Sequence, residues 1–145
     1  MSKVIIYNQE NGIMAVCVPA LNSGLTVEQV ADKDCPKGAK IIDRTDLDGL
    51  DNTFRNAWTC DEDMKPTINI TLAKDIWRNK IRNARKPKLE ELDIQYMRAQ
   101  EAGEDTADIV AKKNKLRDFP AKAEIDSATT VEELKAIWDN DLGDK

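Results

Sequence analysis

Residues 71–88, TLAKDIWRNKIRNARKPK, decide the fold class. Ala73, Trp77, Ile81 and Ala84 recur at three- and four-residue intervals, and Leu72 and Ile76 widen the same arc, so the period is helical. Upstream the period changes. Residues 3–7 (KVIIY) and 13–18 (IMAVCV) are short β-branched runs. Asn11-Gly12 between them is a hairpin signal, because glycine tolerates positive φ. The chain therefore reads as α+β. A small N-terminal unit of hairpin, short helix and further short strands occupies residues 1–66, and a helical half occupies residues 71–145.

Within the N-terminal unit, Thr26-Val-Glu-Gln29 has the form of a capping box. The helix it opens should stop before Pro36, since the residue preceding a proline avoids helical dihedrals. Lys37-Gly38 turns the chain into a third strand over residues 39–43. Residues 44–56 read as a structured loop, 57–60 as a fourth short strand and 61–66 as a polar connection. In the helical half, Pro87 predicts a break or kink. Leu89, Leu92, Tyr96 and Ala99 share the next face, and Gly103 is a C-terminal stop. Asp105 or Thr106 can cap a helix through Arg117 that ends at Phe119-Pro120. Thr130-x-x-Glu133 opens a short last helix, giving three to four helices in all. Trp58, Trp77 and Trp138 fall at apolar positions and are expected in the core.

Composition excludes several chemistries. The 145 residues include no His, which removes His-based triads, His metal ligands and His proton shuttles. The three cysteines, Cys17, Cys35 and Cys60, are odd in number and widely spaced. They suit neither a disulfide framework nor a zinc site, and reduced thiols of a cytosolic protein are expected. No apolar stretch approaches the length that spans a bilayer, and the N-terminus lacks a signal-peptide core, so no membrane partner is expected. Asp46, Asp48 and Asp51 resemble part of a calcium loop. Aligning them puts Arg44 at the first ligand position and Arg55 at the last, so an Asp-rich turn is the better reading. Glu90/Glu91 and Glu132/Glu133 are neighbours that point in different directions on a helix, unsuited to paired acid–base work. No phosphate-binding glycine motif or nucleophile elbow is present. No catalytic residue, cofactor or metal is expected.

Charge is unevenly placed. Residues 71–88 hold seven basic residues and one acidic, a net of +6, between acidic regions on either side. Lys74, Arg78, Arg82 and Arg85 share an arc of about 80° on a helical wheel. A phosphate-tracking stripe for nucleic acid is one reading. The sequence pI of about 4.9 and the scarcity of aromatics disfavour it. The alternative is a helix face paired with carboxylates of this chain or of a partner, where neutralising one Arg should hardly alter folding. Leu89, Leu92 and Tyr96 form the companion apolar stripe, suited to helix docking on a partner or to packing within the chain.

Two stretches carry a family resemblance. One is residues 36–58, PKGAKIIDRTDLDGLDNTFRNAW. The other runs from Ile76 to Trp138: R-x-x-x-R-x-x-R at Arg78, Arg82 and Arg85, L-x-x-L-D at residues 89–93, Y-M-R-A at 96–99, L-R-D at 116–118 and E-E-L-K-A-I-W at 132–138. The first is similar to a segment of small proteins encoded near the tail-fibre genes of tailed bacteriophages. The second resembles the helical region of phage tail assembly chaperone-like proteins. The resemblance implies a phage-encoded, non-enzymatic assembly or virion protein and no particular partner. With the helical stripe, the basic block and the lack of an active site, the expectation is a viral protein that binds a tail-fibre or tail-tip component during assembly, in the bacterial host cytoplasm. The basic and apolar stripes then point to Lys74, Arg78, Arg82, Arg85, Leu89, Leu92 and Tyr96 as the residues that would engage phage tail proteins or a second copy of the chain. A permanent minor structural protein of the virion tail and a nucleic-acid-binding regulator are the alternatives.

Overall fold

Strands β1 (Lys3–Asn8) and β2 (Met14–Cys17) form the hairpin expected at Asn11-Gly12. Gly12 sits at φ +81°, its N–H donates to the Gln9 carbonyl (2.9 Å), and the Asn11 side chain accepts from the Ile13 N–H (3.0 Å). The computed structural model describes residues 2–145, which divide after Ala73 into two units. The chain is α+β.

In the first unit, α1 (Val27–Asp34) follows the hairpin and starts at the predicted capping box. The Thr26 Oγ1 accepts from the Gln29 N–H (3.2 Å), and the Gln29 Oε1 accepts from the Thr26 N–H (2.8 Å). Strand β3 (Lys40–Asp43) then adds to the free edge of β1, giving an antiparallel sheet of order β2-β1-β3. Alternation assigns its faces. Val4, Ile6, Met14 and Ile42 point to a core completed by Trp58 and Cys60. Ile5, paired with Cys17 on one side and Ile41 on the other, points to the opposite face, and α1 packs on β1 and β3.

The expected loop at 44–56 contains two 3-10 segments, Arg44–Leu47 and Asn52–Ala57. Beyond it β4 (Trp58–Cys60) has a partner that the sequence reading missed. Residues 61–66 are not merely a polar connection, because Pro66 begins a strand, β5 (Pro66–Ile68), antiparallel to β4. Proline is tolerated as the first residue of an edge strand. The Asp61 carboxylate closes the turn by accepting from the Asp63 and Lys65 N–H groups (2.9 Å each).

The Asn8 side chain joins the two small sheets. The Asn8 amide donates to the Cys60 carbonyl (3.0 Å) and accepts from the Cys60 N–H (2.8 Å), copying a strand-to-strand bridge across 52 residues of sequence. Cys60 is buried, so both backbone groups would lose their partner without it. Asn8→Ala should therefore lower the stability of this unit by about 1–3 kcal/mol. Asn8→Asp should cost at least as much, since a carboxylate would face the Cys60 carbonyl. Urea unfolding of the three chains checks the order, and an alanine variant as stable as the native chain would show that the bridge contributes nothing.

The second unit is helical. Helix α2 (Ile70–Ala102) starts on Asn69, whose side-chain oxygen accepts from the Thr71 and Leu72 N–H groups (3.0 and 3.2 Å). The break expected at Pro87 does not occur, and α2 runs through it for 33 residues. A mid-helix proline costs about 3 kcal/mol in lost hydrogen bonding and ring crowding. Pro87 is exposed, however, and buried Ile81 before it and Leu92 after it hold both flanking segments by packing.

Helix α3 (Ala107–Asp118) follows Gly103, which adopts φ +71°, and Asp105 accepts from the Ala107 N–H (3.0 Å). Phe119–Ala121 forms a 3-10 turn, with Pro120 in its first turn. A five-residue helix not expected from the sequence, α4 (Ala123–Ser127), comes next, and α5 (Val131–Ala136) begins at Thr130. The Thr130 Oγ1 accepts from the Glu133 N–H (3.2 Å), but the Glu133 carboxylate reaches the Thr129 N–H (2.7 Å), one residue earlier than in a simple capping box.

Candidate functional site

The basic stripe is distributed over backbone acceptors of its own unit. Lys74 donates to the Asp126 carbonyl at 2.6 Å. The Arg78 Nε donates to the Pro120 carbonyl (3.3 Å), and its guanidinium also meets the Asp126 carboxylate. Arg85 donates to the Leu116 and Arg117 carbonyls (3.2 and 2.6 Å). These acceptors lie at the end of α3, in the 3-10 turn and in α4, where the last carbonyls of a helix have no intrahelical partner. Three of the four cations thus cap helix ends, and the 19% exposure of the Arg78 side chain fits that task. Arg82 differs. It is exposed and bonded to the neighbouring Asn79 (2.9 Å).

The companion stripe is also turned inward. Leu92 and Ala99 are buried, while Leu89 and Tyr96 are half-buried. Lys113 of α3 pairs with Asp93 (2.6 Å) and lies 5.1 Å from the Tyr96 ring centroid. A cleft of about 160 Å³ beside Leu92 and Leu116 has a mixed lining that includes Lys88, Glu91, Gln95 and Lys112. Lys115 bridges Asp139 and Asp141 (2.9 and 3.0 Å). A hydrogen bond from the Asp141 N–H and then the Lys115 ammonium hold the Asp139 carboxyl below its ordinary range. The large apolar side chains exposed on α2 are Ile94 and Met97.

A different surface was not singled out by the sequence reading. Val18, Leu21 and Leu25, between β2 and α1, are 58%, 100% and 41% exposed. Val18, Pro19, Leu21 and Val27 line a shallow cavity of about 430 Å³, with Lys3 and Arg44 supplying the charged part of its wall. Lys3 is held by Asp43 at 2.6 Å, and that bond pushes its ammonium pKa up. Isolated exposed apolar residues are ordinary. Three within eight positions, two of them lining one concavity, make a local apolar patch of the kind that merits attention as a contact surface. The signal in the sequence was weak: VPALNSGL has no period, because it belongs to neither a helix nor a strand.

The Asp-rich turn does local structural work. Asp51 accepts from the Thr53 N–H (2.9 Å), and its carbonyl accepts from the Trp58 Nε1 (3.1 Å). Among the described residues no three His, Cys, Asp or Glu side chains converge as a metal site would require, and no helix is long and apolar enough to cross a membrane. The arrangement offers apolar contact and capped helix ends. No family model, no curated protein and no solved structure matches this chain.

Proposed function

We propose that the chain is a non-enzymatic assembly protein of a tailed bacteriophage that binds a tail-fibre or tail-tip protein through its N-terminal unit. The resemblance of residues 36–58 and 76–138 to tail-associated proteins supports the phage setting. The observation that carries binding is the exposed apolar surface at Val18, Leu21 and Leu25. It favours a partner surface away from Arg78, Arg85 and Leu92, whose hydrogen bonds and packing lie within their own unit. The same engagement leaves a nucleic-acid stripe with Arg82 alone among its four cations free of long-range bonds.

Leu21 decides the matter because its side chain is wholly exposed, so replacing it does not disturb the fold. Burying such a side chain against a partner is worth about 1.5–3 kcal/mol. Leu21→Asp should therefore weaken capture of the phage's tail-fibre or tail-tip protein by roughly ten- to a hundredfold while leaving the thermal melt unchanged. Equal capture by native and variant chains would move the partner surface elsewhere. If the chain is present in stoichiometric amount in purified particles, the same surface serves a permanent virion component instead of a transient assembly factor.

A further inference from the structure

Strand β2 lies at an edge of the sheet, and alternation along an antiparallel pair fixes which of its main-chain groups point outward. The Gln9 N–H, one residue past β1, donates to the Ile13 carbonyl (3.0 Å), so the odd-numbered residues of β1 turn their polar groups toward β2. The Arg44 N–H donates to the Ser2 carbonyl (3.0 Å), which turns the even-numbered ones toward β3. Ala15, opposite Tyr7, and Cys17, opposite Ile5, therefore bond to β1, while Met14 and Val16 face the open edge. The Met14 carbonyl fits this parity, since it accepts from the Arg55 guanidinium (3.0 Å). Among the described residues no turn or loop group bonds to the Val16 N–H or C=O.

We propose that the β2 edge at Val16 takes up an extended segment of the partner as an added strand of this sheet. The inference rests on the N-terminal reading of partner binding above and names what the partner presents there. The Val16 N–H and C=O supply the pairing, and alternate side chains of the added strand enter the cavity beside it. That cavity, of about 390 Å³, is lined by Val16, Val18 and Trp58, with Arg44, Arg55 and Asp48 on its wall. Arg55 is committed to the Met14 carbonyl and to the Trp58 ring, 4.8 Å from its centroid. Arg44 is exposed, and among the described residues its side chain makes no hydrogen bond or ion pair. The matching segment thus carries apolar residues at alternate positions and a carboxylate that reaches Arg44. A second copy is the poorer match, because its own β2, MAVC, offers no carboxylate. Arg55 at Met14 and Pro19, which has no N–H, keep the open edge short, as befits an edge that must not pair indiscriminately.

The test records residue-resolved amide hydrogen exchange of the full chain, alone and with the phage's intact tail-fibre and tail-tip proteins or overlapping synthetic peptides that cover them. In the free chain the Val16 N–H should exchange fast, and those of Ala15 and Cys17 slowly. A bound tail protein, and a peptide of the stated pattern, should slow exchange at Val16 by about tenfold or more. Val16→Pro removes the outward N–H at an edge position that tolerates proline, so the chain should stay folded while binding weakens about tenfold. Should that variant unfold, methylating the peptide's backbone nitrogens one at a time decides, since only those facing β2 should lose binding. Slow exchange at Val16 in the free chain, binding that leaves Val16 unprotected, or pairing of two copies at this edge would each overturn the proposal. Capture that Leu21→Asp weakens while Val16 stays unprotected keeps the N-terminal reading and removes strand addition alone. Absence of any tail-protein or peptide binding removes both.

Discussion

Replacing Trp77 with alanine should unfold the C-terminal unit under conditions where the native chain is folded. Trp77 has no exposed surface and is the largest fully buried side chain. Its Nε1 donates to the Ile137 carbonyl (2.9 Å), and its ring meets Trp138 at 5.5 Å between centroids, tilted by 60°. One residue thereby fastens α2 to the chain that follows α5. Truncating a buried tryptophan costs about 3–5 kcal/mol. At the usual stability per residue, a unit the size of residues 74–145 has roughly 4–10 kcal/mol in total. Trp77→Phe separates packing from hydrogen bonding. It keeps an aromatic ring but leaves the Ile137 carbonyl without its donor, and should cost only about 1–3 kcal/mol. Far-UV circular dichroism through a urea titration reads both variants. An alanine variant with a native transition would place Trp77 outside the core.

Arg78→Gln combined with Arg85→Gln should destabilise the same unit by about 3 kcal/mol, while Arg82→Gln should stay within about 0.5 kcal/mol of the native chain. The difference comes from their acceptors. Arg78 and Arg85 donate charge-assisted bonds to the Pro120, Leu116 and Arg117 carbonyls, whereas Arg82 reaches only Asn79. Most of these acceptors are carbonyl dipoles, not carboxylates, so added salt should change the loss little. A double variant as stable as the native chain would return these arginines to the surface as partner contacts. Stability measured beside tail-protein capture distinguishes the two roles, since a surface stripe would lose capture and keep its fold.

The elements legible in the sequence were those whose signals are local. Asn11-Gly12 fixes a hairpin, and Thr26 with Gln29 fixes a helix start, through groups within four residues of each other. The illegible parts depend on distant partners. Strand β5 is three residues long and opens with proline, so only its pairing with β4 reveals it. Helix α4 is too short to display a period. Pro87 carries a strong local rule that packing at Ile81 and Leu92 overrides. The basic stripe was visible as charge, but its acceptors are mostly backbone carbonyls, which every residue possesses and no side-chain pattern announces. Of the surfaces, the Val18–Leu25 segment lacks periodicity.

The Asn8 bridge also sets an order on folding. Its hydrogen-bond partners, the N–H and C=O of Cys60, lie 52 residues downstream. During synthesis the β1–β2 hairpin can close as soon as it leaves the ribosome, on a timescale of about microseconds. The Asn8 amide must then wait several seconds, at roughly 5–20 residues per second, before Cys60 emerges. In that interval the face of Val4 and Ile6 has no Trp58 to cover it. The nascent chain therefore exposes a β-branched sheet face while most of its N-terminal unit is still being made, and that is when it is most open to aggregation.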